Sequence, residues 1–280
     1  MKEYRQKTFT GERAEYHVNN VTYYDSTFED GESPLKECHD IIIHNSFFKW
    51  KYPIWYSKNI KIYNSMLLDT ARSGIWYTEN IYIKDSTIEA PKTFRKSKNI
   101  TIENTTIPNA DETMWSCDNV SLNGVFVKGD YFGMNSSNVT VKNFKIAGNY
   151  IFDGGSNITI DNAILDSKDA LWNCENVVVS NSTIIGEYLG WNSKNLTFIN
   201  CTIESNQGLC YIDGLKLVNC KLINTNLCFE LCKDIDAKIV STIDSVKNPI
   251  NGIIEAETIG EIILDEEMID KTKTKIITKE

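Results

Sequence analysis

An all-β chain wound as a parallel solenoid of about twelve coils is predicted by three observations. First, an Asn recurs through Asn20, Asp40, Asn59, Asn80, Asn99, Asn119, Asn138, Asn157, Asn176, Asn195, Gly214 and Asp234, at steps of 19 to 21 residues. Second, apolar and polar residues alternate just behind it, as in Ile60-Lys61-Ile62 and Val139-Thr140-Val141, the period of a strand with one buried face. Third, further apolar residues stand eight places after the leading position and five before it, so each unit has three inward points. A fixed period held along a chain marks a stack of identical units, each burying the next.

The elements follow in order. Residues 1–19, with Tyr4, Phe9, Tyr16 and Val18, read as a lead-in that caps the first coil. From 20 to 234 the period continues without a break in composition, which argues for one elongated domain. Each coil there opens with a strand at the leading Asn. Its second inward point is Phe28, Phe48, Leu67, Ile88 and their successors, and its third is Leu35, Ile54, Ile75, Phe94 and theirs. Residues 235–280 loosen into Asn248-Pro249, Asn251-Gly252 and a charged tail, read as the last coils, a C-terminal cap and the tail. A cap is expected because the last coil otherwise presents an open parallel edge.

The Asn columns need no ligand to explain them. Asn tolerates the left-handed backbone of a sharp bend, and stacked amides can hydrogen-bond along a column. Six of the eight cysteines share columns with small hydroxyl residues: Cys38, Cys117, Cys174 and Cys232 with Ser57, Thr78 and Ser97, and Cys201 and Cys220 with Ser46 and Ser65. They read as small buried thiols in the reduced state. No CxxC pair occurs, and His17, His39 and His44 lie far from most cysteines, so neither a metal nor a cofactor is expected. The net charge of −9 with scattered lysines excludes a phosphate-backbone footprint and hence a nucleic-acid partner. No apolar run is long enough to span a membrane, and the N-terminal residues lack a signal-peptide core, so a cytoplasmic location is expected.

The coil resembles the single-stranded right-handed parallel β-helix of the pectin-lyase-like superfamily. Segments such as Trp50-Lys51-Tyr52-Pro53, Ala71-Arg72-Ser73-Gly74-Ile75-Trp76-Tyr77 and Gly186-Glu187-Tyr188-Leu189-Gly190-Trp191-Asn192 are similar to an uncharacterised bacterial family of that fold. The resemblance covers nearly the whole chain. It implies a right-handed β-helix and brings no agreed catalytic residues. Resemblance to polygalacturonases would require a His on the central coils, and none lies beyond His44.

Function has to be sought where the repeat departs from stacking. The column four places before the leading Asn holds five of the six tryptophans, running Trp55, Trp76, Arg95, Trp115, Met134, Asp153, Trp172, Trp191. It is expected to face outward, with Arg72, Tyr131 and Glu187 nearby, as an aromatic face on which a sugar chain could stack. Asp111 and Asp130 share a register position in successive coils, about 5 Å apart along the stack. With Arg95 and Asp153 they form the candidate catalytic group of a polysaccharide lyase or glycoside hydrolase. The expected partner is a carbohydrate or similar polyhydroxylated ligand, with self-association into a homo-oligomer left open. The alternative is a non-catalytic scaffold that holds another protein on the same face.

Overall fold

The computed structural model describes residues 2–279. The chain is an all-β parallel solenoid of about 15 turns. Among the described residues the only helical segments are two short 3-10 turns, Asp69–Ala71 and Lys271–Lys273. Among the described residues no helix is long and apolar enough to cross a membrane. The contacts divide the chain into two compact units, Met1–Phe144 and Lys145–Glu280.

The count of turns exceeds the twelve predicted because both ends coil as well. In the first unit, Lys2–Arg5 pairs in parallel with Asn19–Tyr24, and Thr8–Phe9 with Thr27–Phe28. The stretch read as a lead-in is therefore itself a turn. In the second unit, Gly252–Ala256 pairs in parallel with Lys233–Ile239 on one side and Thr274–Thr278 on the other. These turns escape the 19-to-21-residue clock because the step from Asp234 to Asn251 is only 17 residues, although Asn251 still donates to the Asp234 carboxylate at 2.7 Å.

In the first unit the inward rows are Ile60, Ile81, Ile100 and Val120 beside Ile62, Ile83, Ile102 and Leu122, in register and all buried. In the second they are Ile158, Val177, Leu196 and Leu215 beside Ile160, Val179, Phe198 and Leu217. Each such side chain contributes about 1.5–3 kcal/mol by leaving water.

The leading Asn residues sit at the bends. Asn59, Asn80, Asn99 and Asn119 all have left-handed backbones, with φ between 54° and 59°, a conformation that Asn adopts at little cost. Their side chains form a directed chain. Asn59 donates to Asp40 at 2.7 Å, Asn80 to Asn59 at 2.7 Å, Asn99 to Asn80 at 2.8 Å and Asn119 to Asn99 at 2.8 Å. The first member need only accept, so an Asp can occupy it. The second unit repeats the device, with Asn181 donating to Asp161, Asn200 to Asn181 and Asn219 to Asn200.

The small-residue column does more than fill space. The backbone N–H of Cys38 donates to Ser57 Oγ, that of Ser57 to Thr78 Oγ1 and that of Thr78 to Ser97 Oγ. Each hydroxyl satisfies a buried N–H of the preceding turn, which would otherwise be left without an acceptor. All eight cysteines are buried and free.

Candidate ligand-binding site

The tryptophan column is built by the same bends. In the first unit the indole N–H of Trp55 donates to the carbonyl of Ser73, that of Trp76 to Lys92 and that of Trp115 to Tyr131, at 2.6–2.7 Å. All three acceptors have left-handed backbones. In the second unit Trp172 reaches the carbonyl of Tyr188 and Trp191 that of Gln207, again at left-handed residues. Each tryptophan thus ties its own turn to the next.

The ring faces are turned along the stack. Trp55 and Trp76 lie parallel with centroids 4.9 Å apart, and the Arg95 guanidinium is inserted between Trp76 and Trp115, 4.7 and 4.6 Å from their centroids. Trp172 and Trp191 stack at 5.6 Å. All five column tryptophans are half-buried. A sugar ring laid along the column meets indole edges, since these faces already cover one another.

The candidate catalytic side chains are held in contacts between turns. Arg95 places a terminal nitrogen 3.4 Å from Glu112, while its buried Nε has no acceptor. Asp111 accepts the backbone N–H of Asp130 at 2.9 Å, and both residues are exposed. In the second unit Asp153 accepts from Asn173 at 2.8 Å, and Glu187 faces Lys168 at 3.7 Å. Among the described residues no group of three His, Cys, Asp or Glu side chains is placed to hold a metal ion.

A different constellation surrounds Arg72. A cleft of about 360 Å³ in the first unit is lined by Trp50, Lys51, Asp69, Thr70, Arg72, Pro91 and Asn109. The 3-10 turn Asp69–Ala71 forms part of its wall, fixed by the Thr70 hydroxyl, which donates to the carbonyl of Lys49 at 2.7 Å. Trp50 is 37% exposed. Among the described residues its indole N–H has no acceptor and its ring no stacked neighbour; Lys51 Nζ lies 5.3 Å from its centroid. Trp50, Asp69, Thr70 and Asn109 are not singled out by the sequence reading, because Trp50 falls outside the periodic column. The signal available was local: Asn59 to Asn80 is a 21-residue step, and the 3-10 turn lies within it.

One buried acid stands apart in the second unit. Asp169 is 3% exposed, and among the described residues its carboxylate has neither hydrogen bond nor ion pair. Burial holds its carboxyl above the ordinary carboxylate range, with Lys168 opposing the shift and Glu187 adding to it. The strand register slips just before it.

The family described as "Protein of unknown function (DUF3737)" matches residues 2–277 of the chain. No curated protein sequence matches it. Among solved structures it is similar to the surface adhesin PfbA of Streptococcus pneumoniae, at 14% identity and TM-score 0.43, over 80% of this chain and 75% of that one. It is also similar to a tailspike protein of an E. coli bacteriophage in complex with pentasaccharide, at 8% identity and TM-score 0.42, over 93% and 70% of the two chains. A third likeness is to the A-module of a mannuronan C-5 epimerase of Azotobacter vinelandii, at 10% identity and TM-score 0.32, over 98% and 86%. At these scores the functional reading stands on the chain's own geometry.

Proposed function

We propose that this chain, which belongs to the DUF3737 family, binds a carbohydrate or similar polyhydroxylated ligand in the cleft around Trp50 and Arg72. The observation that carries this reading is the contrast between Trp50 and the five column tryptophans. Their N–H groups are bonded to backbone carbonyls, whereas the Trp50 indole is exposed beside a cleft. Trp50 and Pro91 supply an apolar wall for the C–H face of a sugar, and Asp69, Thr70 and Asn109 supply polar groups for its hydroxyls.

Binding without turnover fits better than lyase or hydrolase chemistry, because Arg95, Asp111 and Asp153 each serve a contact between turns. A cytoplasmic setting belongs to the proposal, supported by eight buried, free thiols. A protein-holding scaffold is the second reading. It is favoured by Tyr56 and Tyr77, a stacked pair 4.8 Å apart whose exposures are 48% and 36%.

The test is a fluorescence titration with a panel of oligosaccharides on the native chain, Trp50→Ala and Trp115→Ala. Loss of a stacking ring costs about 1–2 kcal/mol, roughly five- to thirty-fold in affinity. Trp50→Ala is expected to lose that much while keeping its thermal midpoint, and Trp115→Ala to keep its affinity while melting earlier. Equal affinity of Trp50→Ala and the native chain would remove the cleft from consideration.

A further inference from the structure

We propose that the sugar taken by this cleft carries an oxyanion and that Arg72 selects it; the inference rests on the carbohydrate reading of the cleft. The chain has four arginines. Arg5 pairs with Glu3 at 3.0 Å and lies 4.0 Å from the Tyr24 ring. Arg13 pairs with Glu12 at 3.3 Å and faces Tyr16. Arg95 is held between two tryptophans and beside Glu112. Arg72 alone has neither an ion pair nor an aromatic partner for its guanidinium among the described residues.

An exposed arginine is ordinarily just solvated. This one lines a cleft that also presents an indole with an unengaged N–H. Lys51, the other cation of the lining, comes from the preceding turn, where the carbonyl of Arg72 accepts the N–H of Tyr52 at 3.2 Å, and it is already paired with Glu32 at 3.5 Å. Asp69, the acid in the cleft, is outside ion-pair distance of Arg72, and its Oδ1 accepts the N–H of Thr70 at 2.7 Å. The guanidinium therefore keeps its forked donors for a ligand.

A planar fork matches two oxygens of a carboxylate or of a sulfate or phosphate ester, and gains charge-assisted hydrogen bonds that a hydroxyl does not supply. The ring of the same sugar would then lie against Trp50 and Pro91. The shared chemistry is an oxyanion on a pyranose, and the source is settled by the ligand panel.

The experiment titrates the native chain, Arg72→Gln, Arg72→Lys and Trp50→Ala with short oligosaccharides in four forms: neutral, uronic, sulfated and phosphorylated. Binding is followed calorimetrically and repeated at low and high salt. At least one acidic form is expected to bind about tenfold or more tighter than the neutral one, with the preference weakened by salt. Arg72→Gln should abolish the preference, bringing acidic binding down to the level of neutral binding by the same variant, and Arg72→Lys should retain part of it. Neutral and acidic forms binding alike, each dependent on Trp50 and indifferent to Arg72→Gln, would overturn the selection by Arg72 and leave the carbohydrate site standing. Binding of neither class, or binding unaffected by Trp50→Ala, would overturn both.

Discussion

The guanidinium of Arg95 lies 4.7 Å from the ring centroid of Trp76 and occupies the place of a missing tryptophan in the column. Trp76 donates its indole N–H to Lys92, three residues before Arg95, as Trp55 does to Ser73, three before Trp76. A tryptophan at position 95 would meet the carbonyl of Glu112, which also has a left-handed backbone. Arg95→Trp is therefore expected to stabilise the chain by about 1 kcal/mol, since it also removes the buried Nε that lacks an acceptor. Arg95→Ala should cost about 1–3 kcal/mol by opening the stack. Urea midpoints of the two variants check the pair, and a destabilised Arg95→Trp would mean that the column is not interchangeable in this way.

Asp169 gives the stability a pH dependence of known sign. Its carboxyl is raised in the native state by burial, so the native chain holds this proton to a higher pH than the unfolded chain does. The stability that goes with it is fully present below the unfolded pKa and is lost as pH rises through the native one. Asp169→Asn, neutral at every pH, should match the native chain near pH 4 and exceed it increasingly toward neutral pH. Thermal midpoints of the two proteins across that range decide it; a difference independent of pH would contradict the assignment.

The inward rows, the bends and the Asn columns were legible because stacking imposes the same demand on every turn, and Ile60, Ile100 and Ile160 answer it identically. The number of terminal turns was hidden where the period changes, as between Asp234 and Asn251, although 235–280 was read as holding the last coils. The tryptophans show a subtler limit. Periodicity reveals that Trp55, Trp76 and Trp115 share a column, but the direction of a ring depends on where its N–H finds an acceptor. That acceptor is a carbonyl in the following turn, 16 to 18 residues away. Trp50 was passed over for the complementary reason, since a residue outside the period carries no repeated signal.

The amide column makes a graded prediction at Asn80, which donates to Asn59, accepts from Asn99 and has a left-handed backbone with φ 58°. Asn80→Asp keeps the acceptor for Asn99 and tolerates the backbone but loses the donor to Asn59 and sets an oxygen against its amide oxygen, so it should cost about 1–2 kcal/mol. Asn80→Val loses both hydrogen bonds and puts a branched side chain in the left-handed region, for about 2–3 kcal/mol. Chemical denaturation of both variants tests the order, and a Val variant as stable as the Asp variant would show that the bend does not depend on the Asn.

The thiols should respond to opening of the fold and not to reagent strength. Burial pushes Cys117, Cys174 and Cys210 up to about 12, which leaves almost no thiolate at neutral pH. Cys220 differs in direction, because the neighbouring Cys201 thiol lowers it against the effect of its own burial. In denaturant all eight thiols should be titrated from freshly prepared protein that has met neither air nor an added reductant. In the native state alkylation should be slow at every cysteine and should reach Cys220 first once denaturant is raised just below the transition. Cys201→Val, which removes the neighbouring side chain that lowers Cys220, should slow that first reaction. Peptide mapping after brief labelling identifies the first site; early modification of Cys117 or Cys174 instead would contradict both the burial order and the role given to Cys201.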